Sequence, residues 1–197
     1  MPTVLMVLVA AYLLGSIPTA VIVARRVAGL DIRTLGDGNM GARNVSRTLG
    51  ARPAVVVALV DFFKGTAAVI LAQQAGLETH WQVGAAFAAA LGHDFPLFAG
   101  FRGGQGLGTT LGTLLAIAPI PAALGMALYG AAFLLTRLSD LSASLGIVAM
   151  LLLMWRERQP TVVLLGTLGM ILFVPLKMRL DKPRREQISA GKQRTLA

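Results

Sequence analysis

The 197-residue chain is 55% hydrophobic and 14% charged, with a mean hydropathy of +0.71 and a net charge of +9. Soluble domains carry about 25% charged residues, so this composition offers too little polar surface to cover a fold in water. The excess charge does not resemble a nucleic-acid footprint, because no basic helix interleaved with aromatics is present; in so apolar a chain Lys and Arg mark cytoplasmic loops.

Residues 4–24 carry no charge and stop at Arg25-Arg26. As a helix they extend about 30 Å, the thickness of a bilayer core. No Lys or Arg precedes them, so the charged n-region of a signal peptide is missing. The N-terminus is therefore expected outside and Arg25-Arg26 inside. Residues 25–53 hold six arginines, two aspartates and five glycines, which predicts a cytoplasmic loop. A second span covers 54–72, interrupted by Asp61 and Lys64. Residues 73–80 lack Lys and Arg, as an outside loop should. A third span, 82–98, carries His93 and Asp94 near its inner end, and 102–106 return to the cytoplasm.

Spans at 107–120 and 121–136 are divided at Pro119 and Pro121, and spans at 141–155 and 160–176 follow. The pattern predicts an all-α, polytopic membrane protein of about seven helices, a single domain over 1–197. It places the C-terminus inside, with a basic cytoplasmic tail at 177–197 holding seven Lys/Arg against two acids. Arg156 and Arg158 run against the charge rule. The later spans are short: 15 residues reach only about 22 Å, so they borrow loop residues or do not cross fully.

Two glycine-rich stretches stand out. Gly36-Asp37-Gly38-Asn39-Met40-Gly41 matches G-x-G-x-x-G, but that dinucleotide fingerprint needs a βαβ unit, and membrane spans flank it here. Closely spaced glycines still allow backbone N–H groups to converge on an anion, and Arg33, Arg43 and Arg47 lie close in sequence. The alternative is a flexible loop whose arginines only set topology. Gly103-Gly104-Gln105-Gly106 opens into an apolar span, which makes either an anion site at a helix N-terminus or a small-residue packing surface. Asp61 and Lys64 share one helical face, as a structural ion pair or as a site wall. His93 is either a hydrogen-bonded structural residue or an acid–base group. Zero cysteines exclude disulfides and thiolate chemistry; no His/Glu cluster has metal-ligand spacing, and no Ser sits in a nucleophile elbow.

Together, several phrases resemble a known family. They are Gly15-Ser16-Ile17-Pro18-Thr19-Ala20, Asp31-Ile32-Arg33, Gly38-Asn39-Met40-Gly41-Ala42-Arg43-Asn44 with Arg47 and Gly50, and Asp61-Phe62-Phe63-Lys64-Gly65. Gly92-His93-Asp94-Phe95-Pro96-Leu97-Phe98 and Phe101-Arg102-Gly103-Gly104-Gln105-Gly106 follow. In order and spacing, residues 12–112 resemble the bacterial acyl-phosphate:glycerol-3-phosphate acyltransferase family. Thr136-Arg137 and the serines near 139–144 are similar to its next loop.

The resemblance implies a seven-helix inner-membrane enzyme of phospholipid synthesis with a cytoplasmic site. Such an enzyme moves a fatty acyl group from acyl phosphate to the 1-hydroxyl of glycerol 3-phosphate, yielding lysophosphatidic acid and inorganic phosphate. It uses no acyl-CoA, carrier protein, metal or other cofactor, and its partners are those two substrates and the bilayer. Carried onto this chain, the resemblance makes His93 and Asn44 the expected catalytic residues. Gly38, Asn39, Gly41, Arg43, Arg47, Gly103, Gly104 and Gln105 are expected around substrate phosphate, with Asp61, Lys64 and Ser142 as site walls. The family usually has Ser at Asp37, Thr at Arg43 and Lys at Gln105, and its C-terminal motif is not recognisable in 184–193. The departures at Asp37 and Gln105 and the missing motif keep open a same-fold protein that binds phosphate or lipid without turnover, and the intramembrane Asp61 and Lys64 keep open a small transporter.

Overall fold

The computed structural model describes residues 1–195, with the side chains of residue 184 and of 189–195 outside that description. Every regular element among the described residues is helical. The first span is not one rod: α1 (Pro2–Gly15) and α2 (Thr19–Ala28) are separated at Pro18. Proline has no N–H to continue the ladder, and the break leaves the Ile17 carbonyl outside either helix.

The arginine-rich loop contains structure that hydropathy could not show. A 3-10 turn at Ile32–Thr34 is followed by α3 (Ala42–Leu49), whose Asn44 and Val45 are buried. α4 (Ala51–Gln74) starts directly after Gly50, with Pro53 in its first turn, where a missing N–H costs nothing. α5 (Thr79–Asp94) leads through a 3-10 turn at Leu97–Ala99 to α6 (Leu107–Ile117). α7 (Pro119–Thr136), α8 (Ser139–Arg156) and α9 (Thr161–Thr195) complete the described chain.

Among the described residues, five stretches are long and apolar enough to cross a membrane: Pro2–Ala28, Ala51–Gln74, Pro119–Thr136, Ser139–Arg156 and Thr161–Pro183. α5 has 16 residues and α6 has 11, or about 24 and 16 Å. α6 is therefore too short to cross a hydrocarbon core of about 30 Å by itself. The expected span ending at 176 does not end there. α9 continues through Pro175 and Pro183, so the basic segment is helical to Thr195. Residues 196–197 of the expected tail lie outside the described residues.

The interior is built from small and polar side chains. Ala11, Ala68, Ala72, Ala85, Ala86 and Ala89 are buried, while Phe63, Leu135 and Trp155 face outward. Lipid solvates large apolar groups as well as a protein core does, so helices associate by close backbone approach instead. α4 and α6 show this: a Cβ on Gly65 would overlap the Thr109 carbonyl, and one on Gly112 would overlap that of Phe62. The same contact draws the N-terminus of α6 toward Asp61 of α4.

Candidate active site

A buried polar cluster forms where the α1–α2 break meets α4 and α5. Asp61 Oδ1 accepts hydrogen bonds from Lys64 Nζ at 2.8 Å and from Thr19 Oγ1 at 3.0 Å. His93 Nδ1 lies 3.6 Å from the same oxygen. Lys64 Nζ also donates to the Ile17 carbonyl at 3.2 Å, an acceptor at the α1–α2 break that the Thr19 N–H shares at 3.0 Å. Asp61, Lys64 and His93 are 4, 6 and 7% exposed, so each charge depends on its partners. Asp61 and Lys64 are thus an ion pair and a wall of a small cavity that His93 also lines.

With Nδ1 turned to Asp61, His93 directs Nε2 toward Gly104. A Cβ on Gly104 would overlap Nε2, and one on Gly103 would overlap the His93 carbonyl. Gly104 N–H donates to that carbonyl at 3.2 Å. Gly103 and Gly104 therefore serve close packing around His93.

The first glycine stretch is held from below by Asn44. Its Nδ2 donates to the Asn39 carbonyl at 2.9 Å and the Leu35 carbonyl at 3.0 Å, with Ile32 O at 3.4 Å; its Oδ1 accepts from Asp37 N–H at 3.2 Å. Asn44 was expected to be catalytic. Its amide is instead consumed in shaping the loop, and the residue is 1% exposed, which leaves nothing to turn toward a substrate. Upstream, Arg33 grips Asp31 at 2.6–3.2 Å and reaches the Ala99 carbonyl at 3.3 Å, with Arg25 3.5 Å from Asp31. Hydrogen bonds from Arg33 lower the Asp31 carboxyl from 3.8 to about 2.

A cleft of about 200 Å³ opens between this loop and the start of α6, lined by Asn39, Gly41, Arg43, His93, Asp61 and Gln105 with residues 106–108. Thr110 N–H makes the first bond of α6, to the Gly106 carbonyl at 2.8 Å. The amides of Leu107, Gly108 and Thr109 therefore have no acceptor within the helix, and the positive end of its dipole faces the cleft. Asn39 Oδ1 is buried without a hydrogen-bond partner.

Several expected residues stand elsewhere. Arg47, one turn after Arg43, is not in the lining; its Nη1 is 3.8 Å from Asp37 Oδ2. Gly38 sits against the Arg33 carbonyl and Ile188. Ser142, an expected site wall, is buried in α8 and donates to its own Leu138 carbonyl at 2.8 Å, and it lines neither cavity. Four participants were not anticipated. Thr19 lay within a quoted phrase, but only the kink shows it turned to Asp61. Lys177 and Asp181 form a buried pair at 2.6 Å beside Phe95, and Arg185 donates to Asp37. No sequence signal marked the role of that tail.

Helical packing by small residues, a buried His–Asp–Lys cluster and a cleft of anion-binding character define an integral membrane protein with a polar reaction site. A family model described as glycerol-3-phosphate acyltransferase matches residues 5–184, and the chain belongs to that family. A Synechococcus glycerol-3-phosphate acyltransferase is 46% identical over 172 residues, 86% of this chain and 84% of that one. A Thermus thermophilus relative of the same name is 45% identical over 142 residues, 72% of this chain and 71% of its own. The crystal structure of PlsY, an integral membrane glycerol 3-phosphate acyltransferase, in its glycerol 3-phosphate form superposes with a TM-score of 0.80 at 31% identity, covering 92% of this chain and 90% of that one. Its lysophosphatidic acid form gives 0.77 at 30% identity over the same shares. The protein is accordingly an acyltransferase embedded in the membrane.

Proposed function

We propose that the protein transfers a fatty acyl group from acyl phosphate to the 1-hydroxyl of glycerol 3-phosphate, releasing lysophosphatidic acid and inorganic phosphate. We place the site on the cytoplasmic face of the inner membrane, with the N-terminus outside, the C-terminus inside and seven crossings, in which the short α6 completes its crossing with the loop residues that flank it. The observation that carries this reading is the cleft itself. The loop side offers Arg43 and Asn39 to a phosphate, the facing side offers Gln105 and the α6 amides, and His93 with Asp61 also lines the cleft.

Acyl phosphate is an activated mixed anhydride, so the site needs chiefly to align a hydroxyl and stabilise developing charge. The glycerol oxygen attacks the acyl carbonyl carbon, a C–O ester bond forms, and the carbon–phosphate oxygen bond breaks. The hydroxyl proton passes to His93 Nε2, whose other nitrogen faces Asp61 at 3.6 Å, and then to the departing phosphate. Arg47 lies outside the cleft lining, but it shares a face of α3 with Arg43 one turn away, and it turns to the bound phosphate as a second cation. No covalent acyl-enzyme is required.

The turnover-lacking alternative rests partly on the departure at Asp37, because an unpaired carboxylate there would repel a phosphate. That carboxylate is already paired with Arg185 and flanked by Arg47, so the objection loses its basis. The test is phosphate release from a fatty acyl phosphate by purified protein in detergent. Release that requires glycerol 3-phosphate, and that His93→Gln lowers about a hundredfold or more, as for loss of a general base, is expected. Release independent of glycerol 3-phosphate, or no release, would refute the reading.

A further inference from the structure

Resting on that reading, we propose that Arg185 is a positioning residue: it occupies Asp37 and thereby leaves Arg47 available to the substrate phosphate. Asp37 stands between Gly36 and Gly38, at φ 56 and 71°, in a turn that directs its side chain back over the loop. Its Oδ1 accepts the Asn39 N–H at 3.0 Å. Its Oδ2 is contested by two guanidinium groups. Arg185 Nη2 donates to it directly, whereas Arg47 Nη1 stays at 3.8 Å. The Arg185 side chain is 28% exposed and that of Arg47 is 61% exposed. The drier, directly bonded partner holds the carboxylate more firmly, because water screens the other.

α9 is built to deliver that arginine. Lys177, Asp181 and Arg185 recur at i, i+4 and i+8, one face of a helix. Lys177 Nζ is 2.6 Å from both Asp181 oxygens and 4.7 Å from the centre of the Phe95 ring, two residues after His93. This buried pair pins α9 to the end of α5. One turn on, Arg185 reaches the loop, and Ile188 then fills the space where a side chain on Gly38 would stand. The helix thus links Phe95, at the end of α5, to the glycine loop.

Removing Arg185 leaves Asp37 with Arg47 as its remaining cationic partner among the described ion pairs. Arg47 then swings onto the carboxylate and away from the phosphate. Arg185→Ala should raise KM for glycerol 3-phosphate about tenfold, the effect of losing one charge-assisted contact, with kcat within about twofold. Asp37→Ser frees both arginines, so the double variant Asp37→Ser/Arg185→Ala should return KM to within about threefold of wild type. Arg185→Lys should fall between.

The experiment measures phosphate release and, separately, glycerol 3-phosphate binding by calorimetry for these proteins, with thermal melting in detergent as the check on folding. Restoration by Asp37→Ser supports the proposal. If Arg185 merely docks α9, the single and double variants lose activity alike and melt early together, and the proposal is overturned. A lowered kcat at unchanged KM overturns it as well. Wild type that binds and turns over while the double variant stays impaired refutes this inference alone. Wild type that neither binds nor turns over removes the functional reading and this inference with it.

Discussion

Arg43 is the cation on the cleft wall, and Arg43→Thr tests whether it has taken the place of the lysine that the family carries at Gln105. A charge-assisted hydrogen bond contributes about 1.5–3 kcal/mol. Arg43 is exposed at the cleft mouth, where water screens it, so the low end applies. At about 1.4 kcal/mol per factor of ten, kcat/KM for glycerol 3-phosphate should fall about tenfold. Gln105 lines the same cleft, so Gln105→Lys in the Arg43→Thr background should recover most of the loss. In the wild-type background it should lower KM further. The assay is phosphate release against glycerol 3-phosphate concentration, repeated at low and high salt. Screening shortens from about 10 Å at 0.1 M to 3 Å at 1 M, so both effects should shrink as salt rises. An Arg43→Thr protein with wild-type kcat/KM at low salt would refute the reasoning, and Arg43 would then be a topology charge.

Asn44→Ala removes a fully used buried amide and leaves several loop groups without partners, so melting should fall by the equivalent of about 2–3 kcal/mol with activity lost in parallel. Activity lost at unchanged melting would return Asn44 to the reacting groups. Asp61→Asn strands Lys64 in a dry cluster and should cost about 3–5 kcal/mol; Lys64→Met with Asp61→Asn should melt higher than Asp61→Asn alone. Because its folded carboxyl is lowered from 3.8 to about 2, Asp31 stabilises the fold above about pH 4, and that contribution disappears as pH falls toward 2. The melting difference between wild type and Asp31→Asn should therefore narrow over that window, and a constant difference would contradict it. Single-cysteine labelling, clean in a chain with zero cysteines, should reach residue 37 only from the cytoplasmic side; labelling from outside intact cells would reverse the proposed topology.

The membrane class, the main apolar spans, the two glycine stretches and the pairing of Asp61 with Lys64 were legible in the sequence. Each rests on composition or on spacing within about one helical turn, and such local patterns need no knowledge of partners. Asn39, Arg43, His93 and Gln105, which line one cleft, were singled out by the order of phrases that this chain shares with its family.

What each side chain does was decided by tertiary structure. Asn44 and Arg43 are adjacent on α3, yet one is sealed under the loop and the other opens on the cleft. That difference follows from the burial of Val45 against α2 and α4. Ser142 joined the expected site by chain order but lies on a helix that packs elsewhere. Hydropathy ended the last span at residue 176, because Pro175 and the charges beyond it look like a stop. Only the docked α9 brings Arg185 across 148 residues to Asp37. A charge on a single strand of sequence has a sign but no neighbour, so Asp37 read as repulsion until its partner was in place.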